Sequence, residues 1–246
     1  MMELVDVTKL YQQGRRTVHA VRGVSLRVEA REFVSVMGPS GSGKSTLMHL
    51  LGALDTPTTG TALFRGKDLN AMSDRERAFF RRGCIGFVFQ FFNLLPTLTA
   101  AENVALPLLL ARESHGKSVH KARAALDRVG LRERAEHFPD ELSGGEMQRV
   151  AIARALIAEP DAVLCDEPTG NLDSVNSTEV LKLLRSLPEH EGRTVVMVTH
   201  DPGAAAYGDR LILIRDGLVE EDRRQEPSGN GAPATEGIQQ ARGAWR

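Results

Sequence analysis

The sequence predicts an α/β fold: a buried parallel sheet flanked by helices, an N-terminal antiparallel β subdomain, and an inserted α-helical subdomain over about residues 91–160. Three observations carry this. Short, wholly apolar segments, "FVSVM", "IGFVFQ" (85–90), "AVLCDE" (162–167), "TVVMVTH" (194–200) and "RLILIR" (210–215), alternate with helical stretches, as strands of a parallel sheet covered on both faces do. The opening segments "MELVDV" and "SLRVE" alternate apolar with polar residues, which suits a half-exposed antiparallel sheet. Between Gln90 and Pro160 the apolar residues instead recur at helical spacing.

Taken in order, "FVSVM" runs directly into a glycine-rich loop and a helix from about Ser45 to Leu51. Ser73 and Glu76 have the spacing of a capping box and start a further helix. "AAENVALPLLLAR", "VHKARAALDRVG" and "GEMQRVAIARALIA" are the helices of the insertion. No internal repeat of solenoid length is present. The structured domain is expected over 1–222. The remainder, 223–246, is rich in Gly, Pro, Ala and polar residues and reads as a flexible tail. Trp245 within it is either a docking anchor or part of that disordered end.

Composition narrows the class. The 246 residues are 41% hydrophobic and 26% charged, ordinary for a globular protein. With 31 basic and 32 acidic residues the net charge is -1, which argues against nucleic acid as a partner. Cys84 and Cys165 are far apart and beside apolar runs, so neither a disulfide framework nor a zinc site is expected, and a reducing cytosol fits. The start lacks the basic and apolar regions of a signal peptide. The most apolar run, "VALPLLLA", is far short of a membrane span, so any link to a membrane is expected through a partner.

"GPSGSGKS", Gly38 to Ser45, satisfies G-x-x-x-x-G-K-[ST] and sits between a predicted strand and a predicted helix, the context this motif requires. Glycines 41 and 43 let the backbone curl so that N–H groups face phosphates. Lys44 adds charge to the β- and γ-phosphates and the Ser45 hydroxyl is a ligand for Mg²⁺. The candidate nucleotide-phosphate-binding set is Gly38, Ser40, Gly41, Ser42, Gly43, Lys44, Ser45 and Thr46. "AVLCDEP" ends an apolar strand in two acids: Asp166 is the candidate metal ligand, and Glu167 the candidate that orients and polarises an attacking water. These observations define a phosphate-loop NTPase.

The stretch "LSGGEMQRVAIARAL" (142–156) resembles the signature of ATP-binding-cassette (ABC) ATPases, and other elements follow in the family's order over about residues 1–222. Tyr11 matches the aromatic that stacks on adenine. Gln90 in "FVFQFFNLLP" matches the glutamine that contacts Mg²⁺ and water. "DEPTGNLD" (166–173) matches the acidic strand end and the following D-loop with Asp173, and His200 in "VTHD" matches the switch histidine at the γ-phosphate. Alone, a Tyr such as Tyr11 is more often packing and a His such as His200 more often a strand-end surface residue; the set gives them their roles. The resemblance implies a RecA-like core, ATP and Mg²⁺ as cofactors, and catalysis by Glu167, His200 and Gln90.

In that family the signature of one subunit caps ATP on the phosphate loop of another, so Ser143, Gly144, Gly145 and Glu146 are implied to bind ATP in trans. One copy of each motif implies a two-fold homodimer closed by ATP. "FNLLPTLTAAENVALPLLL" and "DEPTGNLDS" further resemble the branch of lipoprotein-release ATPases, macrolide-exporter cassettes and the cell-division ATPase FtsE. That branch implies an integral membrane permease as partner, a periplasmic adaptor reached through it, and a peripheral location on the cytoplasmic face of the inner membrane. "FFNLLP" reads either as the contact for the permease or as internal packing. Two functions stay open: an ATPase driving lipoprotein release or macrolide-type export, and an FtsE-like regulator of a cell-wall or division function with no transported cargo. DNA-repair and translation ABC proteins and kinase-type enzymes fit less well, lacking here the coiled coil, tandem cassette or zinc modules of the former and carrying the Ser-Gly-Gly motif absent from the latter. Met147, Cys165 and Ala101 depart from the family pattern without removing a chemical group from the site.

Overall fold

The computed structural model describes residues 1–14 and 16–226. They form two compact units: Met1–Met72 with the chain from Leu184 onward, and Ser73–Leu183. The first unit opens with β1 (Met2–Gln13), β2 (Arg16–Val28), β3 (Phe33–Met37), α1 (Lys44–Leu51), β4 (Thr59–Phe64) and β5 (Lys67–Asp68). The second holds α2 (Asp74–Cys84), β6 (Ile85–Phe89), α3 (Ala100–Leu110), α4 (His115–Arg128), α5 (Gly144–Leu156), β7 (Ala162–Asp166) and the start of α6 (Ser174–His190). β8 (Thr194–Thr199), α7 (Pro202–Ala205), β9 (Arg210–Arg215) and β10 (Leu218–Arg224) return to the first.

In the first unit, β1 lies between β2 and β4 in an antiparallel sheet that β5 completes. The alternation read in "MELVDV" holds for Met2 and Leu4, which are buried; an irregularity in the pairing between Leu4 and Val7 then shifts the phase, so that Val7 and not Asp6 is buried. β3 is buried at all five positions and pairs in parallel with β8 on one side and β9 on the other. β10 is antiparallel to β9, charged and alternately exposed, which suits a sheet edge. It runs to Arg224, two residues into the expected tail, and the Gln225 side chain donates to the carbonyls of Ala205 (2.8 Å) and Gly208 (3.0 Å). Positions 227–246, with Trp245, lie outside the described residues.

The second unit pairs β6 with β7 in parallel, Phe89 opposite Asp166. Its helical part packs α3, α4 and α5 around Ala101, Val104, Ala105, Leu126, Val150 and Ala153, a core whose alanines let helices approach closely. The capping box of Ser73 and Glu76 starts α2, and Thr99 with Glu102 forms another at α3. Among the described residues no helix is long and apolar enough to cross a membrane.

Candidate functional site

The first unit builds a phosphate cradle. β3 ends at Met37, and a Cβ at Gly38 would lie 2.1 Å from the Ile214 carbonyl oxygen, so only glycine lets loop and strand approach this closely. Gly41 and Gly43 are left-handed, with φ of 79° and 102°. A Cβ at Gly43 would meet the Ala20 carbonyl at 2.2 Å. Residues of this hand let successive amides converge on an anion, and the Gly41 and Gly43 amides have no hydrogen-bond partner among the described residues. Lys44 is buried and donates to the carbonyls of Gly38 (2.8 Å) and Pro39 (2.9 Å), so its ammonium arches back over the loop. The Ser42 hydroxyl is buried without a partner among the described residues, Ser40 is exposed, and Ser45 and Thr46 lie in the first turn of α1. Convergent amides at a helix start beside a buried cation fit a polyphosphate.

The same unit places His200 beside this loop. Met37 of β3 stands opposite Thr199 of β8, so Gly38 and His200 leave the carboxyl edge of the parallel strands side by side. That edge is where such sheets bind ligands. His200 is exposed, and Asp201 after it caps α7 through the Gly203 amide at 2.9 Å. Tyr11, on β1, donates from its hydroxyl to Asp55 Oδ2 at 2.8 Å. The other Asp55 oxygen accepts from Lys9 Nζ at 2.6 Å, and that ammonium lies 5.0 Å from the Tyr11 ring centroid. Burial pushes the Tyr11 phenol up, the Asp55 carboxylate adds to this, and the Thr46 hydroxyl opposes it. Burial raises Asp55 too, but its bonds from Lys9, Tyr11 and the Thr56 amide outweigh that and hold it low. Sequence reading missed Lys9 and Asp55; the one local signal is Lys9 two residues before Tyr11, on the same strand face.

The second unit carries the acids. β7 is buried through Cys165 and surfaces at Asp166. Glu167 follows in a left-handed conformation, φ 48°, which swings it off the strand direction. Two bonds hold this turn: Gly170 N–H to the Glu167 carbonyl at 3.0 Å, and Gln148 Nε2 of α5 to the Pro168 carbonyl at 2.6 Å. Gln90, one residue past β6, pairs with Asn171, whose Nδ2 donates to the Gln90 carbonyl at 2.9 Å. A Cβ at Gly170 would fall 2.8 Å from the Gln90 amide nitrogen, so "GNLD" packs directly on this side chain. The Asp173 carboxylate accepts the Asn176 amide at 2.9 Å at the start of α6, which holds its pKa down.

The helix start at Ser143 lies in this unit as well. Ser143 is the N-cap of α5: its Oγ accepts from the Glu146 amide at 3.3 Å, while Glu146 Oε2 accepts the Ser143 amide at 2.8 Å. An N-cap hydroxyl used this way keeps its proton for another acceptor. The Gly144 and Gly145 amides have no partner among the described residues. Gly145 has no room for a side chain, since a Cβ would meet Asn176 Oδ1 at 1.9 Å. Glu146 also accepts from Arg134 Nε at 2.9 Å. Neither Gln148 nor Arg134 was found from sequence, because both act through space on segments far along the chain.

Comparison with known proteins agrees with this anatomy. The family model described as "ABC transporter" matches residues 21–170. A macrolide export ATP-binding/permease protein of Chlorobium luteolum is 49% identical over 96% of the chain, which spans only 36% of that relative. An uncharacterised ABC transporter ATP-binding protein of Thermotoga maritima is 50% identical over 92% of the chain and 96% of its own length. Among solved structures, the dimeric ATP-binding cassette MJ0796 in a post-hydrolysis state with ADP and Pi aligns with a TM-score of 0.86 and 44% identity, covering 92% of this chain and 99% of that one. The chain therefore belongs to the ABC transporter family, as one of its ATP-binding cassettes.

Proposed function

We propose that this cassette hydrolyses ATP between two copies of itself and so drives a membrane permease of the lipoprotein-release or macrolide-export type. One observation carries the reading: the described residues hold a single phosphate cradle and, separately, a single capped glycine helix start with amides unpartnered among them. Each is half of a phosphate site, and an isologous dimer supplies both halves twice. The dimeric, ADP- and Pi-bound state of the MJ0796 cassette supports it. The macrolide-export relatives, which join ATP-binding and permease parts under one name, support a permease partner; a periplasmic adaptor beyond it and a place at the cytoplasmic face of the inner membrane belong to the same proposal through the branch resemblance.

In this reading Gly38, Ser40, Gly41, Ser42, Gly43, Lys44, Ser45 and Thr46 hold the phosphates and Tyr11 meets the adenine. Ser45, Gln90 and Asp166 would hold Mg²⁺, which when bound would neutralise phosphate charge. A donor set of one carboxylate and two neutral oxygens suits an ion that arrives with the nucleotide's own oxygens. Glu167 accepts a proton from the attacking water, whose oxygen bonds to the γ-phosphorus as the bond to ADP breaks. His200 donates to the γ-phosphate, and Ser143 with the Gly144 and Gly145 amides donates from the other subunit. Asp173 anchors the start of α6 next to that contact.

Sedimentation of the Glu167→Gln protein tests the reading. With saturating MgATP it is expected as a dimer holding two nucleotides, and Lys44→Ala in the same background as a monomer. A strict monomer for Glu167→Gln at saturating nucleotide sinks the proposal.

A further inference from the structure

We infer that Arg134 is the counter-charge that lets the helix start at Ser143 receive a phosphate; the inference rests on the trans contact proposed above. Glu146 stands in the first turn of α5, the same turn as the unpartnered Gly144 and Gly145 amides. Its carboxylate is ionised: the Ser143 amide, together with Arg134, holds its pKa below the ordinary carboxylate range against partial burial. A carboxylate there suits the helix, whose N-terminus carries partial positive charge. It does not suit a second anion in the same turn, because two like charges at that range repel.

The structure resolves this conflict at one atom. One carboxylate oxygen is used by the Ser143 amide at 2.8 Å, and the other accepts Arg134 Nε at 2.9 Å. Arg134 comes from a single 3-10 turn, Arg132–Arg134, and its guanidinium is steadied by His137 Nε2 at 3.2 Å. The Glu146 side chain is 18% exposed and that of Arg134 47%. A pair this open contributes little to folding. Its consequence is electrical: with Arg134 present, the start of α5 offers a phosphate its amides without a net negative neighbour. Arg134 is thus a positioning and charge-balancing residue, not one that touches the nucleotide.

The test uses the full chain in the Glu167→Gln background with MgATP, measuring the dimer dissociation constant by sedimentation. Arg134→Met is expected to weaken each trans contact about tenfold, and the dimer by about a hundredfold because two such contacts close it. Adding Glu146→Gln to Arg134→Met removes the unbalanced charge and is expected to restore most of the loss; Arg134→Lys, which keeps the charge, is expected to lose little. ATP binding by the monomer, unchanged in Arg134→Met, shows that the variant is folded. An unaltered dimer in Arg134→Met overturns the inference, as does a loss that Glu146→Gln fails to restore, since that marks a merely structural arginine. Ser143→Ala separates the two ideas: if it does not weaken the dimer, the trans reading itself has failed, whatever Arg134 does.

Discussion

Gln148 is fully buried in α5, and its side-chain amide is spent on one carbonyl, that of Pro168, while its own oxygen has no partner among the described residues. The residue before Pro168 is Glu167, held at a φ of 48° that a side chain larger than glycine's adopts only when its surroundings impose it. Strain of this kind costs about 1–3 kcal/mol, and Gln148 is one of the bonds that offsets it. Replacing Gln148 by Leu is expected to lower turnover by roughly tenfold or more, since a shift near 1 Å in a positioned group has effects of that order. ATP affinity of the monomer should stay the same. Single-turnover kinetics beside equilibrium nucleotide binding checks this; unchanged turnover would release Gln148 from the role. The contrast with the phosphate loop shows what a sequence makes legible at this scale. Gly38 to Thr46 act on one another within a few residues, so their chemistry can be read in order. Gln148 on Pro168, Arg134 on Glu146 and Asp55 on Tyr11 act across the fold, and no spacing announces them.

Asn103 shows the same limit for an element. It sits at a buried position of α3 among alanines and Val104, where helical periodicity expects an apolar residue. Its Oδ1 accepts the Leu95 amide at 2.7 Å, and its Nδ2 donates to the carbonyls of Leu95, Leu98 and Thr99. The turn between β6 and α3 is thereby fastened to the helix it precedes, just after the exposed Phe91. Asn103→Ala removes the partner of the Leu95 N–H and the Leu98 carbonyl, while the Leu95 and Thr99 carbonyls keep the Leu98 and Asn103 amides, and is expected to cost about 1–3 kcal/mol of stability. Urea unfolding measures it; a loss within experimental error would mean that the turn re-forms its bonds elsewhere. Most elements were nevertheless readable: β3, β6, β7, β8 and β9 as apolar runs, α2 and α5 from Ser73 and from the glycine start. β4, β10 and α6 were not. The second residue of β4 is Gly60, where a Cβ would meet the Asp6 carbonyl at 2.2 Å, so the strand's place is set by packing against β1 and not by its own propensity. β10 is charged along its length because it is an edge, and α6 begins in a polar turn fixed by the Asp173 carboxylate.

For the whole molecule, the division into two units matters more than any single element. The phosphate cradle belongs to one and the helix start at Ser143 to the other, and the described residues hold one of each. If activity needs two chains, specific ATPase activity should rise with protein concentration until the dimer saturates, and the ATP dependence should be steeper than hyperbolic. Steady-state assays over a wide range of chain concentration decide it. A specific activity that stays flat under dilution, with hyperbolic ATP dependence, would point to a self-sufficient monomer.

The bond from Gln148 to Pro168 acquires a further meaning at this scale. Gln148 lies two residues after Glu146 on α5, so the helix that would greet a neighbour's phosphate also grips the loop bearing this chain's own acid. In the proposed dimer, news of a filled neighbour and the readiness to cut at home would travel along one short rod. Each copy would then be informed of its partner's cargo of nucleotide through its own Glu167, and the pair would fire in concert.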